Sequence, residues 1–294
     1  MEIARNSTCP SGRWHDHVAP LIAQRAMTML NVGANKGWVV HDWLHRYSPR
    51  GVRPPPNRDT WRRALRSVTW KPCGGACSHC TGPPPPHAGR EVSNLTVHAF
   101  DFLSANARLL TRLFREYNIS GAVHHAAVSN RIGTAYEPER KWPPGDELQR
   151  PFQNRHGSPV EELTLDDFVG RHNVHHVSLL TVDAEGFDGL ILEGARALLD
   201  ARRIELLEFE YHGVGAWGAA SREYGPRRNL SDILSWLDGA GYSCFWQGNS
   251  GALAPASGRW WDPAFEFRAW SNLVCSCLPA VVRELGRCCG AAMR

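Results

Sequence analysis

No stretch of the sequence approaches the roughly 18 consecutive apolar residues that a membrane-spanning helix needs. The opening residues, MEIARNSTCPSGRWHDH, lack the apolar centre of a secretory signal. A soluble, intracellular chain without a membrane span is therefore expected. Charge of one sign is also scarce: 33 Lys and Arg against 29 Asp and Glu leave +4 over 294 residues, too little to mark a nucleic-acid binder. With 43% hydrophobic residues the chain can enclose a sizeable core, which excludes disorder throughout. What it has in excess is 9 Cys, 20 Pro and 27 Gly, which rarely spread evenly through one fold and should mark insertions. Without a leader the cysteines are expected as reduced thiols or metal ligands rather than a disulfide framework. The sequons at Asn6, Asn94, Asn118 and Asn229 read as chance matches, because Asn94 and Asn118 flank core-like segments.

Periodicity divides the chain. Trp14, Val18, Leu21, Ile22 and Ala26 share a helical face, and Met27 to Val32 is an apolar strand running into a glycine loop. Gly37 to Tyr47 reads as a helix. Residues 48 to 92 lose all pattern in prolines, arginines and a cysteine cluster, a composition that predicts no regular element. Strands at 95–100, 122–128, 177–182, 204–210, 242–246 and 271–277 then alternate with helices, broken again by a Pro- and charge-rich stretch at 135–160. The alternation predicts a doubly wound α/β domain over residues 1–277, interrupted at about 48–93 and 135–160, with a tail at 278–294 that shows no site.

Four segments carry chemistry. In Asn31-Val32-Gly33-Ala34-Asn35-Lys36-Gly37, glycines permit a tight turn and a close ligand approach, while Asn35 stands where a dinucleotide loop would have its middle glycine. Asp101 ends the next strand, where an acid can hold ribose hydroxyls. Asp183-Ala184-Glu185-Gly186 opens a buried strand into a helix, at the strand end where ligands of open α/β sheets bind. Glu208, Glu210 and His212 cluster at the next strand end; a His beside acids there can take a proton from a hydroxyl, whereas Glu208 reads as a solvated strand face.

These segments, with Ala126-Ala127-Val128-Ser129, Thr164-Leu165-Asp166-Asp167-Phe168 and Leu192-Glu193-Gly194-Ala195, resemble in order the motifs of the FkbM-type S-adenosylmethionine-dependent methyltransferases. The resemblance covers roughly 27–47 and 94–275. It implies a Rossmann-like class I methyltransferase sheet of seven strands with the last antiparallel, and O-methylation of a hydroxylated acceptor such as a sugar, glycolipid or small metabolite. It further implies that Asn31, Gly33, Ala34, Asn35 and Gly37 cradle the methionine part of the cofactor, that Asp101 holds the ribose, and that Ala127 lies by the adenine. Asp183 would sit at the transfer centre, Glu185 and Glu210 on the acceptor side, and either Asp183 or His212 would act as base. Asn31 and Phe102 replace the usual Asp and Pro; Asn31 cannot neutralise the cofactor's ammonium, so weaker binding is expected.

Cys73, Cys77 and Cys80 follow C-x3-C-x2-C, the spacing that holds an iron–sulfur cluster in radical S-adenosylmethionine enzymes. No strand feeds them, so a zinc clip completed by His79 or His87 is the better metal reading. Arg46, Arg50, Arg53, Arg58, Arg62, Arg63, Arg66 and Lys71, interleaved with Trp61 and Trp70, offer an alternative in which the fold is a non-catalytic binding module for an anionic partner.

Overall fold

The computed structural model describes residues 12–49, 55–67, 69, 72–73, 82–89, 92–139, 143–145, 157–218, 225–249, 251–268 and 270–288. The first half runs α1 (Trp14–Ile22), β1 (Ala26–Val32), α2 (Trp38–Tyr47), α3 (Arg58–Arg66), β2 (Asn94–Asp101), α4 (Ser104–Glu116), β3 (Gly121–Val128), β4 (Gly133–Glu137) and β5 (Ser158–Leu163). It continues through α5 (Leu165–Arg171), β6 (Val177–Val182), α6 (Asp188–Glu193), α7 (Arg196–Asp200), β7 (Ile204–Tyr211), α8 (Gly215–Gly218) and α9 (Leu230–Gly239). The last elements are β8 (Ser243–Gln247), β9 (Leu253–Pro255), β10 (Ser271–Ser276) and α10 (Pro279–Cys288).

Among the described residues all strands join one sheet in the order β4-β5-β3-β2-β1-β6-β7-β10-β8-β9. β5, β3, β2, β1, β6 and β7 are parallel neighbours, and the last strand, β10, is antiparallel to both β7 and β8. The sheet has 10 strands rather than seven. The three unforeseen ones are β4 and β5, which flank the second interruption and pair antiparallel with each other, and the short β9 beside β8. Alternate residues of the central strands feed two cores, because strand side chains point to opposite faces. Leu30, Val32, Leu180, Val182, Leu207 and Phe209 pack with Phe168 of α5, Ile191 of α6 and Leu234 of α9. Met27, Met29, Val97, Leu179 and Leu206 pack with Val18 of α1, Val40 of α2 and Val281 of α10.

Two expectations fail here. The first interruption does hold a regular element: α3 starts at Asn57, whose side chain accepts the Thr60 N–H, and buries Trp61 and Leu65 completely against Leu109 and Leu113 of α4. Its two apolar residues at i and i+4 anchor one face while arginines cover the rest. The cysteines are also not all reduced. Cys244 of β8 and Cys275 of β10 face each other in the antiparallel ladder, fully buried, and form a disulfide. Cys73 is disulfide-bonded as well. Among the described residues no helix is long and apolar enough to cross a membrane.

Candidate active site

The carboxyl ends of β2, β1, β6 and β7 lie side by side, so the segments picked out by sequence converge on one edge of the sheet. The loop after β1 is fixed by its own backbone: Gly33 and Ala34 N–H both donate to the Phe100 carbonyl at 3.0 Å. Gly33 has φ 77°, and a Cβ there would lie 1.7 Å from the Asp183 carbonyl oxygen, so only glycine allows the loop to close on the end of β6. Asn35 has φ 45°, a left-handed conformation that Asn tolerates better than most residues, which explains how it serves in a glycine's place. Its N–H donates to Asp101 Oδ2 at 2.8 Å.

Asp101 is buried and also accepts from the Leu103 N–H at 2.9 Å and from Asn106 Nδ2 at 3.2 and 3.3 Å. Burial nevertheless pushes its carboxyl up to about 6, with those hydrogen bonds opposing. Asn31 is buried beside Thr181 in the β1–β6 ladder, and Asn31 Oδ1 and Thr181 Oγ1 make no hydrogen bond among the described residues. Leaving such acceptors unmet is costly, so a donor supplied by a ligand fits this position. Ala127 is buried near the end of β3, opposite Glu162 of β5.

Both interruptions touch this loop. Trp61 Nε1 donates to the Lys36 carbonyl at 3.2 Å, and its ring lies 3.0 Å from where a Gly37 Cβ would stand. From the second interruption, Gly145 N–H donates to Asn106 Oδ1 at 2.7 Å, and its carbonyl accepts from Lys36 Nζ at 2.7 Å. Lys36, Asn106 and Gly145 carry no pattern in the sequence that marks them as neighbours.

On the far side, Asp183 is exposed at the end of β6, its N–H donating to the Val32 carbonyl at 3.0 Å. Glu185 (φ 52°) and Gly186 (φ 94°) form the turn into α6. Asp188, fully buried, accepts from the Gly186 N–H and from the Glu210 N–H, each at 3.2 Å, and so ties that turn to β7. Burial, reinforced by the Glu210 carboxylate, pushes Asp188 up to about 8. Nothing in the sequence marks Asp188 as a partner of β7; its bond to a residue on another strand is a product of the fold. Glu210 and His212 are buried, with His212 Nε2 3.0 Å from Glu210 Oε2, while Trp270 Nε1 donates to Glu210 Oε1. Burial alone would lower the His212 pKa, but the carboxylates of Glu210, Asp188 and Glu185 outweigh it and raise it. Thus Glu185, Glu210 and His212 come together, while Asp183 stands beside the glycine loop. Glu208 is not a solvated strand face: it accepts from Gln247 Nε2 at 2.7 Å, and burial raises its pKa.

The cysteine cluster is not supported as a metal centre. Cys73 is in a disulfide, and both ring nitrogens of His87 have partners, Nε2 with the Ser48 carbonyl and Nδ1 with the Gly89 N–H. Neither a zinc clip nor an iron–sulfur cluster can use a thiolate already spent in a disulfide. Cys77, His79, Cys80 and Trp70 lie outside the described residues. The basic stretch is partly neutralised, Arg46 by Asp16, Arg58 by Asp42 and Arg62 by Asp59. With Trp61 buried, that ring offers no stacking platform for a nucleic acid.

A model of the Methyltransferase FkbM domain matches residues 31–244, which is more than half of the chain and runs from the glycine loop to β8. No curated protein and no solved structure gives a significant match.

Proposed function

Since the chain belongs to the FkbM methyltransferase family, we propose that it transfers a methyl group from S-adenosylmethionine to a hydroxyl of a sugar, glycolipid or small metabolite. We read β3-β2-β1-β6-β7-β10-β8 as the Rossmann-like methyltransferase sheet, with β4, β5 and β9 as additions at its edges. The observation that carries the reading is the glycine loop held between Asp101 and the Asp183 carbonyl, with the Asn31 acceptor left unmet beside it.

Asn31, Gly33, Ala34, Asn35 and Gly37 would hold the methionine part, with Asn31 Oδ1 accepting from the ammonium. Asp101 would take the ribose hydroxyls by exchanging its longest contacts, those from Asn106 at 3.2 and 3.3 Å, and the adenine would lie toward Ala127. The cofactor supplies an electrophilic methyl on a sulfonium sulfur, which departs as a neutral thioether when an acceptor oxygen takes the methyl. This chain's part is to position the acceptor, exclude water and remove the hydroxyl proton. Asp183 is the better base, because it is exposed at the strand end whereas His212 is buried beside Glu210, away from the glycine loop. Transfer of labelled methyl to a panel of sugars and hydroxylated metabolites tests this. Asp183→Ala is expected to lower the rate by about 10² to 10⁴; near-native turnover in that variant removes the assignment.

A further inference from the structure

The geometry points to a divalent-cation site formed by Glu185, Glu210 and His212 at the carboxyl ends of β6 and β7. One ligand-capable atom from each residue lies within 4.8 Å of the others. Atoms that share an ion at about 2.0–2.4 Å are spaced about 3–4.8 Å apart, so this spacing suits a common centre.

His212 Nε2 and Glu210 Oε2 stand 3.0 Å apart, yet neither completes a hydrogen bond, and both atoms are inaccessible to solvent. The residues are more than nine-tenths buried, at 7% and 8% exposure. A simple ion pair would align an N–H with the carboxylate oxygen; two lone pairs aimed at one missing ion need no such alignment. The other carboxylate oxygen of Glu210 is engaged by Trp270 Nε1, the outer contact that turns a ligand oxygen toward its metal.

The scaffold is preorganised. A Cβ on Gly186 would lie 2.4 Å from the Val214 carbonyl, and the Ala216 N–H donates to the Gly186 carbonyl at 2.9 Å, so the Glu185 turn is locked onto the segment after His212. Asp188 bonds both the Gly186 and Glu210 N–H groups, fixing one ligand-bearing segment against the other. One imidazole and two carboxylates suit a borderline or hard first-row ion such as Mn2+. Three protein ligands leave positions open, and Glu185, the half-buried member, marks the side from which an acceptor's oxygens reach them. The site rests on the methyltransferase reading only for this last role, holding a hydroxylated acceptor in place.

The test is titration of the metal-stripped full chain with MnCl2 alone, followed by electron paramagnetic resonance, without S-adenosylmethionine. The expected result is one Mn2+ per chain with hyperfine coupling to one imidazole nitrogen. His212→Gln should abolish that coupling, and Glu185→Gln, in the half-buried turn, should weaken binding about tenfold or more with an unchanged near-ultraviolet spectrum. Absence of stoichiometric binding up to about 1 mM Mn2+ overturns the site. Binding without nitrogen coupling, or binding that Glu185→Gln leaves intact, overturns it equally. Because no cofactor is present, this outcome is independent of whether the chain binds S-adenosylmethionine.

Discussion

Replacing Asp101 with Asn should change how stability depends on pH, and the structure fixes the sign. The carboxyl is buried among Asn35, Leu103 and Asn106 and is raised from 3.8 to about 6. Between those values the folded chain binds more protons than the unfolded chain, so stability falls as pH rises. The contribution of protonated Asp101 is fully present below 3.8 and lost above about 6. A shift of this size corresponds to ~3 kcal/mol. Asn does not titrate, and it can serve only one of the Asn35 and Leu103 N–H donors with its single carbonyl oxygen. That mismatch adds a constant offset of about 1–3 kcal/mol, so the slope is the diagnostic quantity. Urea denaturation of both proteins from about pH 4 to about pH 7 isolates it, since other titrating groups cancel in the difference. The stability of the native chain minus that of Asp101→Asn should fall by about 2–2.5 kcal/mol across this range. A difference that stays flat within about 1 kcal/mol, or rises, refutes the burial argument.

Trp61→Ala should destabilise the chain by about 3–5 kcal/mol in urea denaturation, because a fully buried indole leaves a cavity between α3 and α4. It should also loosen the loop at Lys36 and Gly37; a loss under about 1 kcal/mol would mean that α3 is not part of the core. Cys244→Ser with Cys275→Ser should cost roughly 3–4 kcal/mol from the 31-residue separation that the bond closes. Alkylation of the denatured, unreduced chain should leave both cysteines unlabelled, and labelling of both would contradict the disulfide.

Seven strands are legible because each is a short apolar run bounded by turn residues, as in Val177–Val182, buried along its whole length. β4 is not, because Gly133 to Tyr136 are exposed or half-buried at the sheet edge and carry no apolar run. α3 is hidden for a different reason: arginines fill the helix so densely that Trp61 and Leu65 do not read as a stripe. In the candidate site, the strand-end placement of Asp101, Asp183, Glu210 and His212 is legible because each follows directly on an apolar strand run. Asp188 and Trp270 are not, since their bonds to Glu210 span 22 and 60 residues and exist only once β7 has its neighbours. The disulfide is hidden likewise: Cys244 and Cys275 meet because β10 inserts between β7 and β8. His98 Nδ1 and His124 Nε2 stand 3.1 Å apart across β2 and β3, a diagonal contact that exists only once the two strands lie side by side, since His98 is opposite Ala122.

The most direct test of the central claim is calorimetric titration of the full chain with S-adenosylmethionine, alongside Asp101→Ala. The account predicts saturable binding of one cofactor per chain, weakened at least about tenfold by the substitution, which removes the acceptor for the Asn35 N–H and frees the glycine loop. Absence of binding by the unsubstituted chain, or equal affinity in Asp101→Ala, would contradict it.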